Sequence, residues 1–430
     1  MSIFAFAGFL LYNISIEKCK GSESMELTRK QEEGRKIIVN KYLSGEPFGV
    51  VSGYAGVGKS VCISFIVASL GLDPEKDVCY ACPTGKACNQ LQKLGHKNVT
   101  TLHKLLWKYE LSPKGYFTRS PVGIGDILYK LIVVDEVSMV PQETIEQLLK
   151  HHIFVLFCGD PFQLPPPSEE PRNTLLEKPD VFLDEVMRQA KESDIIRLSM
   201  VARAKQPIGY YKGNDLMILP KKELCEGHLV WADQILVGLN DTRKRINQHM
   251  REMRGFKGEA PQIGDKVIVR RNYHETFGSN GFSLVNGTIG FLEKAVYPCA
   301  YSLPRSLHIP GGPLESYKTN FVSDYGEDYG YLKMDKQMLL TGEYRLTLPQ
   351  QVSISKFYKK IGIPQKSKQI IPMEFEYGYA ITVHSSQGSS WDKVLLLEES
   401  FPQDWTEHCR WVYTGITRSC QKLIMIKGDF

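Results

Sequence analysis

The chain predicts an α/β fold: parallel sheets with helices on both faces, a β-hairpin insert and a small β-barrel-like insert. Three observations predict it. Apolar strand-like runs alternate with helical stretches at "FGVVSGYAGVGKSVCISFIVASLG", "VCYACPTGKACNQL", "KLIVVDEVSMV" and "IFVLFCGD", the pattern of a parallel sheet covered on both sides. The rhythm breaks between Leu105 and Ile127, where "WKYELSPKGYFTRSP" reads as two short strands around Pro113-Lys114-Gly115. It breaks again near Arg254. From Ile263 to about Gln369 the chain is rich in Gly, Pro and Tyr, with short alternating runs such as "GDKVIVRRN" and "NGTIGFLE".

The elements follow in order. Leu27 to Leu43 is helical, with Ile37, Ile38 and Leu43 among charges. A second alternating set begins near Phe182, includes "QILVGLNDTRKRINQHM", resumes at "EYGYAITVHSS" and closes with "KLIMIKG". The predicted boundaries are a first domain over 25–104 and 128–180, a hairpin insert over 105–127, a second domain over 181–258 and 370–430, and the β-rich insert over 259–369. Residues 1–24 read as an N-terminal extension ahead of a start at Met25, rather than a weak anchor. Their apolar stretch is short for a membrane span, and they have neither a basic n-region nor a small-residue cleavage site.

The 430 residues, 42% hydrophobic and 23% charged, are long enough for several structural units. The formal charge is only +5, so a nucleic-acid site must come from local clustering. The ten cysteines form no even framework and read as mostly reduced and buried, which predicts a cytoplasmic protein. "CYAC" (Cys79 to Cys82) with Cys88 nearby has no second pair at finger spacing, and reads as a buried strand rather than a metal site.

"GYAGVGKS", Gly53 to Ser60, fits G-x4-G-K-[ST] between a predicted strand and helix, the context of a P-loop. Gly53, Gly56, Val57 and Gly58 shape a loop whose backbone N–H groups cradle phosphates. Lys59 reaches the outer phosphates and Ser60 holds Mg²⁺. "LIVVDEVSMV" puts Asp135 and Glu136 at a strand end, with Asp135 for Mg²⁺ and Glu136 to orient and deprotonate water. "GDPFQLPP" (Gly159 to Pro166) adds Gln163, an amide able to bond a γ-phosphate or the attacking water without adding charge. These motifs establish a nucleotide hydrolase and leave its class open.

With those motifs in order, the chain resembles superfamily 1 helicases, most closely the RecD, Pif1 and phage Dda group, over Leu27 to Gly428. The resemblance implies two RecA-like domains, a hairpin pin, an SH3-like accessory insert, ATP and Mg²⁺ as cofactors, and 5′-to-3′ movement on DNA. "LTRKQ" is similar to the group's adenine-reading segment, which implies Gln31 at the base edge. "EVMRQ" and "VYTGITRS" resemble the segments that supply arginine fingers, here Arg188 and Arg418, unless either is only a surface or ion-paired residue. "YAITVHSSQGSSWDKV" resembles the motif that links strand grip to ATP, which brings in Gly388, His384 and Ser386; His384 has a packed core histidine as its alternative. "PTGKA" and "TLHKLL" imply strand contacts at Pro83, Thr84 and His103, and "LNDTRKRIN" implies one at Asn240.

Strand tracking needs cations for phosphates and flat rings for bases. Tyr116 and Phe117 sit in the hairpin insert, where they either stack on the last base pair or cap the domain. The basic run from Ser353 to Gln369 reads as a solvated loop more than a DNA contact, and Tyr297 to Leu340 matches no placed pattern. The expected activity is ATP-driven unwinding of duplex DNA by a monomer. Its expected partners are single-stranded and forked DNA, with single-strand-binding or replication proteins as candidates, and no membrane partner. The rival readings are an RNA helicase of viral superfamily 1 type and a non-motor nucleic-acid-binding ATPase.

Overall fold

The computed structural model describes residues 27–111, 117–165, 173–185, 193–301, 314–344, 346–347, 350–351, 353–354, 356–357 and 371–428. The N-terminal extension, Tyr116, Arg188 and most of the basic run after Ser353 lie outside the described residues.

Helix α1 (Arg29–Leu43) opens with a capping box. The Thr28 hydroxyl accepts from the Gln31 N–H, and the Gln31 amide oxygen accepts from the Thr28 N–H. Strand β1 (Phe48–Gly53), helix α2 (Lys59–Ser69), strand β2 (Val78–Cys82), helix α3 (Gly85–Lys93) and strand β3 (Val99–Thr101) follow. After α4 (Leu102–Leu106) come β4 (Trp107–Leu111) and β5 (Phe117–Pro121), then β6 (Leu131–Val134), α5 (Gln142–Leu149), β7 (Phe154–Gly159) and β8 (Val181–Leu183). The first sheet has the order β3-β2-β6-β7-β1-β8, and every neighbouring pair is parallel. All residues of β2, β6 and β7 are buried, as helices on both faces require. Ile38, Ile66, Val133 and Leu156 share its core.

The chain continues through α6 (Asp194–Arg203), β9 (Tyr211–Lys212), β10 (Leu216–Pro220), α7 (Glu226–Trp231), β11 (Gln234–Val237) and α8 (Asn240–Met253). The insert holds β12 (Lys266–Val269), β13 (Tyr273–Phe277), β14 (Ser283–Leu284), β15 (Ile289–Leu292), β16 (Tyr297–Tyr301), β17 (Leu314–Ser323), β18 (Asp328–Asp335), α9 (Lys336–Thr341) and β19 (Phe375–Tyr377). Then come β20 (Ala380–Thr382), β21 (Trp391–Glu398), α10 (Trp405–Ile416) and β22 (Ser419–Lys427). The second sheet has the order β20-β11-β21-β22-β10-β9, with β9 antiparallel on its edge. Helix α10 is buried on nearly every side from Cys409 to Ile416, as a helix enclosed in a core must be.

The chain divides into two compact units. One contains both parallel sheets and is formed by Val122–Thr242, Ile381–Phe430 and the described part of Met1–Leu106. The other contains Trp107–Pro121 and Arg243–Ala380. In the second unit β4 and β5 pair antiparallel from Trp107↔Pro121 to Leu111↔Phe117, where a hairpin is predicted.

The β-rich insert departs from the barrel expectation. Its main sheet runs β16-β17-β15-β12-β19, with β18 on the other edge of β17, and no closed barrel forms among the described residues. One isolated bridge, Met334↔Met373, ties the end of β18 to the residues just before β19. Pro372 precedes that bridge and has no N–H for a ladder. The sheet thus curls toward closure and stops at a single bridge. Tyr297 to Leu340, unplaced by pattern, supplies β16, β17 and β18.

Candidate functional site

The phosphate loop joins β1 to α2. Gly58 caps α2 at φ 73°, ψ 33° and Gly56 stands at φ 78°, left-handed backbone that glycine adopts without steric cost. The Lys59 ammonium donates to the carbonyl oxygens of Gly53 (2.8 Å) and Tyr54 (2.9 Å), so it lies folded over the loop. Gln31 is buried, and its amide N–H₂ donates to the carbonyl oxygens of Val57 (3.1 Å) and Gly58 (3.4 Å). With its oxygen held by Thr28, Gln31 braces the loop and caps a helix.

Asp135 and Glu136 follow β6, beside the loop. Glu136 stands at φ 55°, ψ 41°, a left-handed backbone that costs a residue with a β-carbon about 1–2 kcal/mol. Its N–H donates to Asp135 Oδ1 at 2.9 Å. Desolvation pushes the Glu136 carboxyl up to about 7, and the Asp135 and Asp160 charges add to the rise; Arg418 and Lys59 oppose it. Desolvation also raises the Asp135 carboxyl, opposed by its bond from the Glu136 N–H and by Lys59. A carboxyl near neutrality is suited to take a proton from water. Ser60 and Asp135 offer hydroxyl and carboxylate oxygens, the hard donors that suit Mg²⁺ completed by phosphates and water.

"GDPFQLPP" leaves β7 at the same end of the sheet. Asp160 and Gln163 are both buried, and the Gln163 side-chain oxygen has no hydrogen-bond partner among the described residues. Residues of α10 and of the turn after β20 reach this loop. The Tyr413 hydroxyl donates to Asp160 Oδ2 (2.5 Å) and accepts from the Ala55 N–H (3.0 Å). The Leu164 N–H donates to the Thr414 hydroxyl (3.1 Å), and Gln387 Nε2 donates to the Leu164 carbonyl (2.8 Å). Phe162 meets the Tyr413 ring edge to face at 5.3 Å. Arg418 is 6% exposed and donates to the carbonyl oxygens of Thr414 (3.0 Å) and Ser389 (3.3 Å).

The predicted strand contacts divide. His103 and Asn240 are exposed, while Pro83, Thr84 and His384 are half-buried. Thr84 also caps α3, its hydroxyl accepting from the Ala87 N–H at 3.3 Å. Burial lowers the His384 imidazole below its ordinary value, partly opposed by Glu407. Ser386 is fully buried and its hydroxyl donates to the Val383 carbonyl at 2.6 Å, which shapes the turn. Gly388, at φ 70°, lies where a β-carbon would stand 3.4 Å from the Thr84 hydroxyl, so its place is a close approach between the two halves of this unit. Phe117 lies in β5.

Several residues escape sequence reasoning. Tyr413, Thr414 and Gln387 lie inside recognised segments, and nothing local marks them as contacts of the first sheet's loops. Arg203 stands 3.6 Å over the Tyr54 ring in the phosphate loop, with no motif around it. Glu399 accepts from the N–H groups of Gly238 (2.5 Å) and Leu239 (2.9 Å) and from the Thr242 hydroxyl (2.5 Å), which fixes the start of α8 near Asn240. No helix of the described residues is long and apolar enough to cross a membrane.

Residues 27–216 match the family model for an AAA domain, and residues 377–426 that for a UvrD-like helicase C-terminal domain. The chain is 30% identical over 433 aligned residues to the ATP-dependent RecD2 DNA helicase of Deinococcus radiodurans, covering 93% of this chain and 50% of that protein. It therefore spans half the length of that relative. In fold it is similar to the Pif1 helicase of Bacteroides in complex with ADP-AlF3 and single-stranded DNA (TM-score 0.52, 15% identity, 94% of this chain and 92% of that one). It is similar also to the Pif1 helicase of Candida albicans (TM-score 0.50, 16% identity, 94% and 95%). With the AAA model over the phosphate and carboxylate segments, the UvrD-like helicase C-terminal model over the Arg418 segment, and the RecD2 similarity along nearly the whole chain, the sequence comparisons support a superfamily 1 helicase of the RecD type, and the solved structures give it the fold of the Pif1 helicases.

Proposed function

We propose that the chain hydrolyses ATP, uses the cycle to move 5′ to 3′ along single-stranded DNA, and unwinds duplex DNA. The observation that carries this reading is the convergence of both sheets on one site. Glu136, with its raised carboxyl, feels the Arg418 charge, while Tyr413 of the same α10–β22 segment bonds the phosphate loop. A site completed by two sheets can be closed by its nucleotide and opened by hydrolysis, the element a motor needs.

The roles follow from the chemistry. The loop N–H groups and Lys59 bind phosphates. Glu136 takes a proton from water, and Gln163 orients that water or a phosphate oxygen with its free amide oxygen and its N–H₂. Arg418 offers a planar cation to charge building on the transferred phosphoryl group. Ser60 and Asp135 would hold Mg²⁺, which when bound neutralises phosphate charge. Arg188 keeps its expected role as a second finger. Pro83, Thr84, His103, Asn240 and His384, with Tyr116 and Phe117 of the hairpin, form the proposed strand path.

DNA is favoured over RNA because the RecD2 relative is named a DNA helicase and the Bacteroides relative was crystallised with single-stranded DNA. The test is ATP hydrolysis with and without single-stranded DNA or RNA, followed by unwinding of forked duplexes with either tail. Stimulation by DNA and unwinding from a 5′ tail are expected. No stimulation refutes the motor reading, stronger stimulation by RNA favours the viral type, and unwinding only from a 3′ tail refutes the polarity. Lys59→Ala abolishes unwinding and leaves strand binding largely intact, measured by strand titration beside the unwinding assay.

A further inference from the structure

The Tyr413 hydroxyl is fully buried and spends itself on two loops at once. It donates to Asp160 Oδ2 at 2.5 Å, which alone would satisfy a buried phenol. It also accepts the Ala55 N–H at 3.0 Å. Ala55 lies inside Gly53–Ser60, the loop whose N–H groups bind phosphate oxygens. One N–H makes one short, linear bond, so a phenol oxygen and a phosphate oxygen compete for it.

The neighbouring contacts go elsewhere. Thr414 of α10 and Gln387 of the turn after β20 hold Leu164, and neither touches the phosphate loop by these bonds. Among these α10 and Gln387 bonds, the Tyr413 bond is the one that reaches the phosphate loop. Its consequences travel in both directions. The Tyr413 ring packs against Phe162, the neighbour of Gln163, and the Asp160 charge it bonds is one of those that raise the Glu136 carboxyl. Arg418 follows two residues after α10 ends, with its guanidinium on the Thr414 carbonyl.

We propose that Tyr413 is a positioning residue that occupies the Ala55 N–H until a nucleotide phosphate displaces it, so that α10 and Arg418 respond to what the phosphate loop holds. The proposal rests on the reading of this loop as an ATP site. It assigns the sensing of bound phosphate to a tyrosine, in addition to the glutamine and arginines that the motifs suggest.

The test is Tyr413→Phe, which keeps the ring and removes the competitor. Affinity for a non-hydrolysable ATP analogue with Mg²⁺ is measured by calorimetric titration. Affinity for a fluorescent single strand is measured with and without that analogue. Removing one competing hydrogen bond tightens the analogue by about 2- to 10-fold, and the effect of the analogue on strand affinity shrinks toward none. Thr414→Val is the control for general loosening of α10 and leaves analogue affinity unchanged.

Unchanged or weaker analogue binding by Tyr413→Phe overturns the proposal, as does equal tightening by Thr414→Val. If Tyr413→Phe shows no cooperative thermal transition, Asp160→Asn is read in the same way, because it weakens the acceptor that orients the hydroxyl. Wild-type protein that does not bind the analogue refutes the ATP reading and the proposal together. Wild-type binding without the Tyr413→Phe effect refutes the proposal alone.

Discussion

Buried charge is treated in opposite ways in the two units. In the second unit Arg251 and Asp265 are 1% and 0% exposed. The guanidinium donates to both Asp265 oxygens and to the carbonyls of Gly258 (3.0 Å) and Ala260 (2.7 Å), and lies over the Tyr377 ring. Asp265 also accepts from the Gln262 N–H and the Tyr379 hydroxyl. In the first unit three carboxylates, Asp135, Glu136 and Asp160, crowd one sheet end, with a raised carboxyl, a left-handed glutamate and a Gln163 oxygen that has no partner among the described residues. A saturated ion pair holds a fold together. A crowd of like charges without a saturating cation leaves room for a ligand that brings its own charge.

The largest effect that can break this contrast is on catalysis. Glu136→Gln keeps the shape and removes the base. Steady-state hydrolysis should fall about 10²- to 10⁴-fold, with the thermal transition unchanged or slightly raised. A large loss of stability would mean that the glutamate is structural after all. Arg251→Ala tests the other side. Leaving Asp265 buried without its cation should cost about 3–5 kcal/mol of unfolding free energy, read by denaturant titration. A cost under about 1 kcal/mol would show that the pair is as dispensable as a surface bridge.

The smallest effect is in pH. The Glu136 carboxyl is raised from its ordinary range to about 7. Its contribution to stability is therefore fully present below the ordinary carboxylate range and is lost as pH rises through about 7. Catalysis runs the other way, because the base must be ionised. Strand-stimulated kcat should climb through about pH 7, with an apparent value belonging to the Asp135–Glu136 pair. A flat profile between pH 6 and 8 would remove the glutamate from the role of base.

Local chemistry was legible where its signal is local. The phosphate loop, the carboxylates after β6 and the glutamine after β7 each lie within a strand–loop stretch whose apolar run and turn residues declare it. The alternating pattern likewise foretold both parallel sheets. What escaped depends on distant parts of the chain meeting. Tyr413 and Ala55 are 358 residues apart, and Leu164 and Thr414 are 250 apart. No periodicity encodes such a pair. Ser386 and Gln31 show a related limit of local signal: a motif names a residue, while the partners of its polar atoms, here the Val383 and Val57 carbonyls, come from the fold. The insert was read as a barrel because short strands and turns specify a curled sheet, while closure rests on the single bridge after Pro372.

The strand order of the second sheet has a consequence for how the protein is made. β10 and β11 are synthesised before the insert, yet they are not neighbours; β21 and β22 fill the places between them. About 150 residues separate β11 from β21, so at roughly 5–20 residues per second the ribosome leaves that gap open for about 8–30 s. During this interval Leu236 and Val237, buried in the finished sheet, lack their neighbouring strands, and Ile218 and Leu219 have only the edge strand β9 beside them. Unpaired apolar strands of this kind are where wrong pairing competes with folding. A chain that stops before β22 would retain its phosphate loop and still lack the sheet that makes the loop useful.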